Sequence, residues 1–315
     1  MQDIKLENLE LFYDVLDESI NVLYEVYHKP YFDLFEMTTK NIMASEILND
    51  FENKDDYDRL QAIYDKLEGI DFSVEDVRKA IQSIVLRGFK ELRMPNGNTT
   101  PDTLGILFAY LITRITSSKK LSILDPLCGT GNLLFSVSNH LDKELELAAC
   151  DNDLLMTKIT SLTADLLHTE VSVFLQDTLN LSFNELDGIV FDLPHSELDE
   201  NKEYFPYKAF LHYKDMIKED GFILAIVEND FFDYDRKQAF KKELLEELSI
   251  LGLIELPDEM FKASKPKLIL VLQKRKLEDK HCFMVKLPSF TDVKDFNTAL
   301  LEIEQWFNRN NYNNK

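Results

Sequence analysis

The run Leu121-Ser122-Ile123-Leu124-Asp125-Pro126-Leu127-Cys128-Gly129-Thr130-Gly131-Asn132-Leu133-Leu134 decides the fold. An apolar, strand-forming segment ends on Asp125. Gly129 and Gly131 then supply a tight turn in which bare backbone approaches a ligand, and the residues from Asn132 onward read as a helix whose amino end faces the same space. A strand, a glycine turn and a helix open a βαβ unit.

Outward from this stretch the alternation continues. β-rich runs fall at Leu121–Asp125, Leu145–Asp151, Val171–Asp177, Leu186–Leu193, Phe222–Val227, Leu251–Leu256 and Leu268–Gln273, separated by helical stretches. Seven such strands predict a Rossmann-like α/β fold, a doubly wound, mostly parallel sheet with its ligand crevice at the carboxyl ends of the strands. Asp125, Asp151, Asp177 and Asp192 lie at or beside four of those ends, so four carboxylates are expected around one crevice.

Upstream, Leu6, Leu9, Tyr13, Leu16, Ile20, Leu23 and Tyr27 follow the three-four spacing of an amphipathic helix. Docking on its own domain and pairing with a second copy both fit that spacing, so a homodimer stays open. The acidic stretch Asp50–Asp58 reads as a solvent-facing connection, and helical pattern resumes to about Leu92. The chain divides into a helical unit, 1–92, a catalytic unit, 93–276, and a tail, 277–315, packed on the core.

Composition narrows the function classes. Apolar residues make up 45% of 315 and Gly plus Pro only 18, which excludes disordered and low-complexity chains. Cys128, Cys150 and Cys282 are too few and too scattered for a disulfide framework or a zinc site, so no metal is expected and a reducing compartment is. No apolar run has membrane-spanning length and the first residues lack a signal pattern, which predicts a cytoplasmic protein without membrane contact. The formal net charge of −22 opposes long-range attraction to nucleic acid. Two basic clusters, Arg236-Lys237 with Lys241-Lys242, and Lys262, Lys265, Lys267 with Lys274-Arg275-Lys276, read first as solvated surface and second as a local docking patch.

The cofactor follows from charge. A carboxylate directly before the turn, Asp125, repels a pyrophosphate and attracts the cationic methionine end of S-adenosylmethionine. Leu134 stands where a dinucleotide fingerprint needs a third glycine or an alanine, a further departure from nicotinamide binding. Asp151, with Asn152, sits about 20 residues on, where a carboxylate binds ribose hydroxyls. Gly131→Val is expected to abolish cofactor binding and leave the fold intact, on the premise that a side chain there enters the ligand's space.

Asp-Pro-Leu-Cys-Gly-Thr-Gly-Asn-Leu-Leu resembles the first motif of the class I S-adenosylmethionine-dependent N6-adenine DNA methyltransferases, particularly the modification subunits of type I restriction systems. The segment Asn98-Thr99-Thr100-Pro101-Asp102 resembles that family's Thr-Pro cofactor segment, and Leu256-Pro257 through Phe261 to Leu268–Lys274 resembles its final strands. The likeness covers about residues 93–276. It implies a cofactor site of Thr100, Pro101, Asp125, Pro126, Cys128, Gly129, Thr130, Gly131, Asn132, Asp151, Asn152, Asp177 and Thr178, with Asp177 toward the adenine. Thr100 and Pro101 also suit the N-cap and first residue of a helix, and Asp177 also suits a turn.

The same resemblance places the catalytic motif at the end of the fourth strand, where the family has Asp or Asn, two prolines and an aromatic residue. Here the residues are Asp192-Leu193-Pro194-His195. The exocyclic amine of adenine is a poor nucleophile, and two acceptors on its hydrogens localise its lone pair. Asp192 and the Leu193 carbonyl supply two acceptors and Pro194 keeps the turn rigid. His195 replaces the ring that stacks on a flipped base, and is either a pocket residue or incidental. Tyr204, Phe205 and Tyr207 are replacement pocket walls or core anchors. Cys128 is read as packing rather than as a nucleophile. Three functions remain: a methyltransferase of adenine N6 or a related planar amine, with DNA the substrate that the resemblance implies and a partner protein able to supply its recognition; a cofactor-binding protein with lost or redirected catalysis, serving as a sensor or assembly component; and a methyltransferase of a protein amide or small metabolite.

Overall fold

The computed structural model describes residues 5–95, 99–235, 237–261, 265–275 and 281–310. Four helices come first: α1 (Leu6–Tyr27), α2 (Tyr31–Ala44), α3 (Lys54–Tyr64) and α4 (Val74–Glu91). The α1 stripe is buried at Phe12, Leu16, Ile20 and Leu23 against α2, α3 and α4 of the same chain, so its spacing is accounted for without a second copy. Much of the acidic stretch after Asp50 is helical rather than a plain connection: α3 starts within it, capped by Asn53, whose side chain accepts from the Asp55 N–H. Ser73 and Asp76 form a reciprocal capping box that starts α4.

The remainder is an α/β layer built on α5 (Asp102–Ile115), β1 (Lys120–Asp125), α6 (Asn132–Asn139), β2 (Glu144–Asp151), α7 (Leu154–Leu166), β3 (Val171–Leu175), β4 (Leu186–Asp192), α8 (Phe205–Lys214), β5 (Ile217–Glu228), α9 (Ala239–Glu247), β6 (Ser249–Glu255), β7 (Lys267–Gln273), β8 (Phe283–Lys286) and α10 (Val293–Arg309). The strand order is β3-β2-β1-β4-β5-β7-β6-β8. β1 to β5 run parallel, β7 is antiparallel to both β5 and β6, and β8 is parallel to β6. The order reverses between β1 and β4, and a crevice opens there at the carboxyl ends.

Two sequence expectations need correction. The sheet has eight strands: β8 adds Phe283–Lys286 beside β6, and α10 buries Ala299, Ile303 and Phe307 in the main core. That segment alternates buried and exposed residues but is only four residues long, too short for a periodicity argument. The helical unit, divided from the catalytic unit at residue 92 by the sequence reading, shares one apolar core with it, through Phe135 of α6 and Met156, Ile159 and Leu162 of α7.

Candidate active site

Carboxyl ends of four neighbouring strands converge on a cavity of about 520 Å³, within the range that holds a nucleoside-sized ligand. Of the residues singled out above, Thr100, Asp125, Pro126, Cys128, Gly129, Asp151, Asn152, Asp177, Thr178, Asp192, Leu193 and Pro194 line it, joined by Leu127, Asp153, Met156, Phe205 and Lys267. Five of these side chains are carboxylates and one is an ammonium. Such a lining disfavours a pyrophosphate and suits a cation.

The loop after β1 is organised by that charge set. Gly129, with φ of 52°, donates its N–H to Asp151 Oδ2 at 2.9 Å, and the other oxygen of Asp151 accepts from the Asp153 N–H. Asp153 in turn caps α7 by accepting from the Leu155 and Met156 N–H groups. Asp125 is 1% exposed; burial pushes its carboxyl well above the usual carboxylate range, with partial relief from the Leu127 N–H at 3.2 Å. Asp177 accepts from the Leu179 N–H and so caps the one-turn helix Thr178–Asn180, while Thr178 shares a hydrogen bond with the Tyr213 hydroxyl. Burial also pushes the Cys128 thiol well up, away from a nucleophilic thiolate.

Lys267 was not expected here. Its Nζ donates to Asp192 Oδ1 at 2.6 Å and to the Leu193 carbonyl at 3.1 Å, the two acceptors that the sequence reading set aside for a substrate amine. The second carboxylate oxygen of Asp192 accepts from Thr100 Oγ1 at 3.1 Å. Burial raises the Asp192 carboxyl, and Lys267 and Thr100 pull partly against that rise. Sequence reading placed Lys267 in a basic surface cluster; the sheet order carries the start of β7, across from Glu228 of β5, to the end of β4. Thr100 precedes the helix rather than capping it: Pro101 is the residue before the first turn of α5, which leaves the Thr100 hydroxyl to reach Asp192.

A second residue without a sequence signal is Arg78 of α4, 1% exposed. It donates to both carboxylate oxygens of Glu75 at 2.8 Å, to Asp102 Oδ1 at 2.8 Å and to Asn132 Oδ1 at 2.7 Å. Asn132 passes the connection on, donating to the Thr100 carbonyl at 2.6 Å and to Asp102. The helical unit therefore clamps the start of α5 and the start of α6, the two segments that flank the cavity. Burial works against ionisation of Glu75 and Asp102, yet Arg78 holds both carboxyls below the usual range.

Several of the sequence-picked residues stand outside the cavity. Pro101, Thr130, Gly131, Asn132 and His195 do not line it. Gly131, with φ of 76°, faces protein: an added Cβ meets the Phe135 ring at 2.6 Å and the Thr160 methyl at 2.9 Å, so the premise that it borders ligand space is wrong. His195 is largely exposed, with Nδ1 2.5 Å from Glu228 Oε1, and that carboxylate raises the imidazole pKa. Tyr204 stacks on Tyr234 and Tyr207 on Phe240, both as anchors of the loop, whereas Phe205 reaches the cavity. Several members of the basic clusters are partnered: Lys265 pairs with Glu228 and Asp230, Lys274 with Glu247, and Lys241 lies over the Phe232 ring. Asn98, Arg236, Lys262 and Lys276 lie outside the described residues. Among the described residues no helix is long and apolar enough to cross a membrane and no metal-binding cluster occurs.

Comparison with known proteins agrees with this architecture. Residues 10–89 match the YtxK N-terminal helical domain and residues 191–309 match the N-6 DNA methylase family. A Listeria monocytogenes protein described as a class I S-adenosylmethionine-dependent methyltransferase superposes with a TM-score of 0.84 at 28% identity, over 96% of this chain and 100% of that one. The methyltransferase subunit of a type I restriction-modification system from Streptococcus thermophilus shares the fold, with a TM-score of 0.61 at 13% identity over 94% and 74% of the two chains. Protein YtxK of Bacillus subtilis (strain 168) is 34% identical over 271 residues, 80% of this chain and 82% of its own. At that identity and coverage the chain belongs to the YtxK family, and it carries the class I S-adenosylmethionine-dependent methyltransferase fold on a YtxK-type helical unit.

Proposed function

We propose that this protein is an S-adenosylmethionine-dependent N-methyltransferase whose acceptor amine is held by Asp192 and the Leu193 carbonyl, with adenine N6 in DNA as the substrate that the family resemblance implies. One observation carries the reading. A carboxylate oxygen of Asp192 and the Leu193 carbonyl converge on a single nitrogen, that of Lys267, 2.6 and 3.1 Å away, at the wall of a carboxylate-lined cavity sized for a nucleoside. Bound S-adenosylmethionine supplies an already activated methyl. The chain's own part is to place the nitrogen, localise its lone pair through those two acceptors and take up its proton, for which a carboxyl raised by burial is suited.

In this reading Asp151 binds ribose hydroxyls, Asp125 faces the methionine cation and Asp177 with Thr178 borders the adenine, while residues 93–276 form the catalytic unit. The acidic surface disfavours direct DNA capture, so a partner chain supplies the nucleic-acid contact, in analogy to the Streptococcus neighbour, which is one subunit of a larger system. A second reading, a cofactor-binding protein with redirected catalysis, is favoured by Lys267 already filling both acceptors. Calorimetric titration with S-adenosylmethionine, followed by labelled-methyl transfer to DNA, RNA, protein and small-molecule fractions, tests both. Transfer to DNA lost in Asp192→Ala supports the first; binding without any transfer to an added fraction supports the second; no binding removes both.

A further inference from the structure

The amine that fills the acceptor pair belongs to the protein. Lys267 is the lysine that lines the cavity among the described residues, and its side chain is only 18% exposed. Two of its three N–H groups are committed to Asp192 and Leu193, and no hydrogen-bond partner for the third is found among the described residues. A tetrahedral nitrogen held in this way has one corner left over. When the ammonium loses a proton, that corner is a lone pair, the arrangement that an amine needs to attack a methyl group in line. The cavity beside it is lined by the carboxyl groups of Asp125, Asp151, Asp153 and Asp177, so its preferred ligand is a cation, and Phe205 with Met156 supplies apolar wall.

We infer that Lys267 is itself a methyl acceptor, and that the protein methylates its own Nε in the absence of another amine. This inference rests on the proposed cofactor reading of the cavity. The Lys267 ammonium loses the proton at its uncommitted corner to solvent, and Asp192 and the Leu193 carbonyl keep hold of the two remaining N–H groups. The freed nitrogen lone pair forms the new N–C bond while the methyl–sulfur bond breaks, its electron pair staying on sulfur, which leaves S-adenosylhomocysteine and Nε-methyllysine. The positive charge of the sulfonium passes to the methylammonium as the N–C bond forms, so no further reactant is needed. The alternative is a lysine that only neutralises a buried carboxylate, and such a lysine stays unmodified.

The test uses the full chain with methyl-labelled S-adenosylmethionine, proteolysis and mass spectrometry of the peptide holding Lys267, beside calorimetric titration with the cofactor and with S-adenosylhomocysteine. The expected result is a gain of methyl on Lys267, at a rate per chain independent of protein concentration, lost in Asp192→Ala, which removes the acceptor that orients the amine, and absent from Lys267→Arg, which keeps the charge. Lys267→Met is read by binding alone. Removing an ammonium beside the sulfonium is expected to improve S-adenosylmethionine affinity relative to S-adenosylhomocysteine by roughly fivefold, the repulsion of two unit charges about 4 Å apart in water. An unmodified Lys267 in a chain that binds the cofactor overturns the inference and leaves the cofactor reading standing. So does label spread over surface lysines with Lys267 spared, or an unchanged affinity ratio in Lys267→Met. Failure of the wild-type chain to bind either nucleoside removes both.

Discussion

Arg78→Met removes the clamp between the helical unit and the cavity while keeping most of the side-chain volume. Four charge-assisted hydrogen bonds disappear, and Glu75 and Asp102, with side chains 4% and 20% exposed, keep their charge without a cationic partner at 2.8 Å. Removing one partner of a buried ion pair costs about 3–5 kcal/mol, mostly the penalty of the charge left behind. For a chain of this length that corresponds to a fall in melting temperature of roughly 5–8 °C. Asn132 also loses its anchor while still donating to the Thr100 carbonyl, so the segments flanking the cavity loosen and S-adenosylmethionine affinity is expected to fall about tenfold. Melting followed by circular dichroism gives the first quantity and calorimetric titration the second. Adding Glu75→Gln to the variant relieves the stranded charge and should restore at least about 1 kcal/mol, a coupling that independent sites lack. A variant that melts within about 1 °C of the parent, with undiminished affinity, refutes the clamp.

Gly131→Val is expected to destabilise the protein by about 2–5 kcal/mol, because a β-branched residue at φ of 76° is strained and its Cβ collides with Phe135; a thermal melt separates this from a selective loss of binding. Affinity for S-adenosylmethionine should rise with pH above the ordinary carboxylate range, as the raised Asp125 carboxyl ionises, and more steeply than affinity for the uncharged thioether of S-adenosylhomocysteine; parallel slopes count against Asp125 as the sulfonium's neighbour. The ligand-free protein moves the other way. A carboxyl whose pKa is raised by folding contributes its stability below about 3.8 and loses it as pH climbs through the raised value, so Asp125→Asn should stabilise the free protein at neutral pH, as read by denaturant melts. His195→Ala should leave cofactor affinity within about twofold, since the imidazole points away from the cavity to Glu228; a larger loss in titration means that the ring turns inward on binding.

Local pattern was enough for the parts of the protein that short-range physics specifies. The strand ending on Asp125, the turn at Gly129 and the helix after Gly131 are set by backbone sterics and apolar spacing within fifteen residues, and the three-four stripe of α1 needs no distant partner to be recognised. Carboxylates at strand ends follow from the same reasoning, since parallel strands deliver their carboxyl ends to one side. Tertiary structure alone decided the rest. Lys267 is 75 positions from Asp192, and only the pairing of β7 between β5 and β6 brings its ammonium onto the acceptor pair. Arg78 looks like any surface arginine of an amphipathic helix until α4 packs against α6 and α7 and buries it. Gly131 and His195 carry the right identity at the right spacing, but which way a Cβ or an imidazole points depends on Phe135, Thr160 and Glu228, neighbours that side-chain packing selects and residue spacing does not encode.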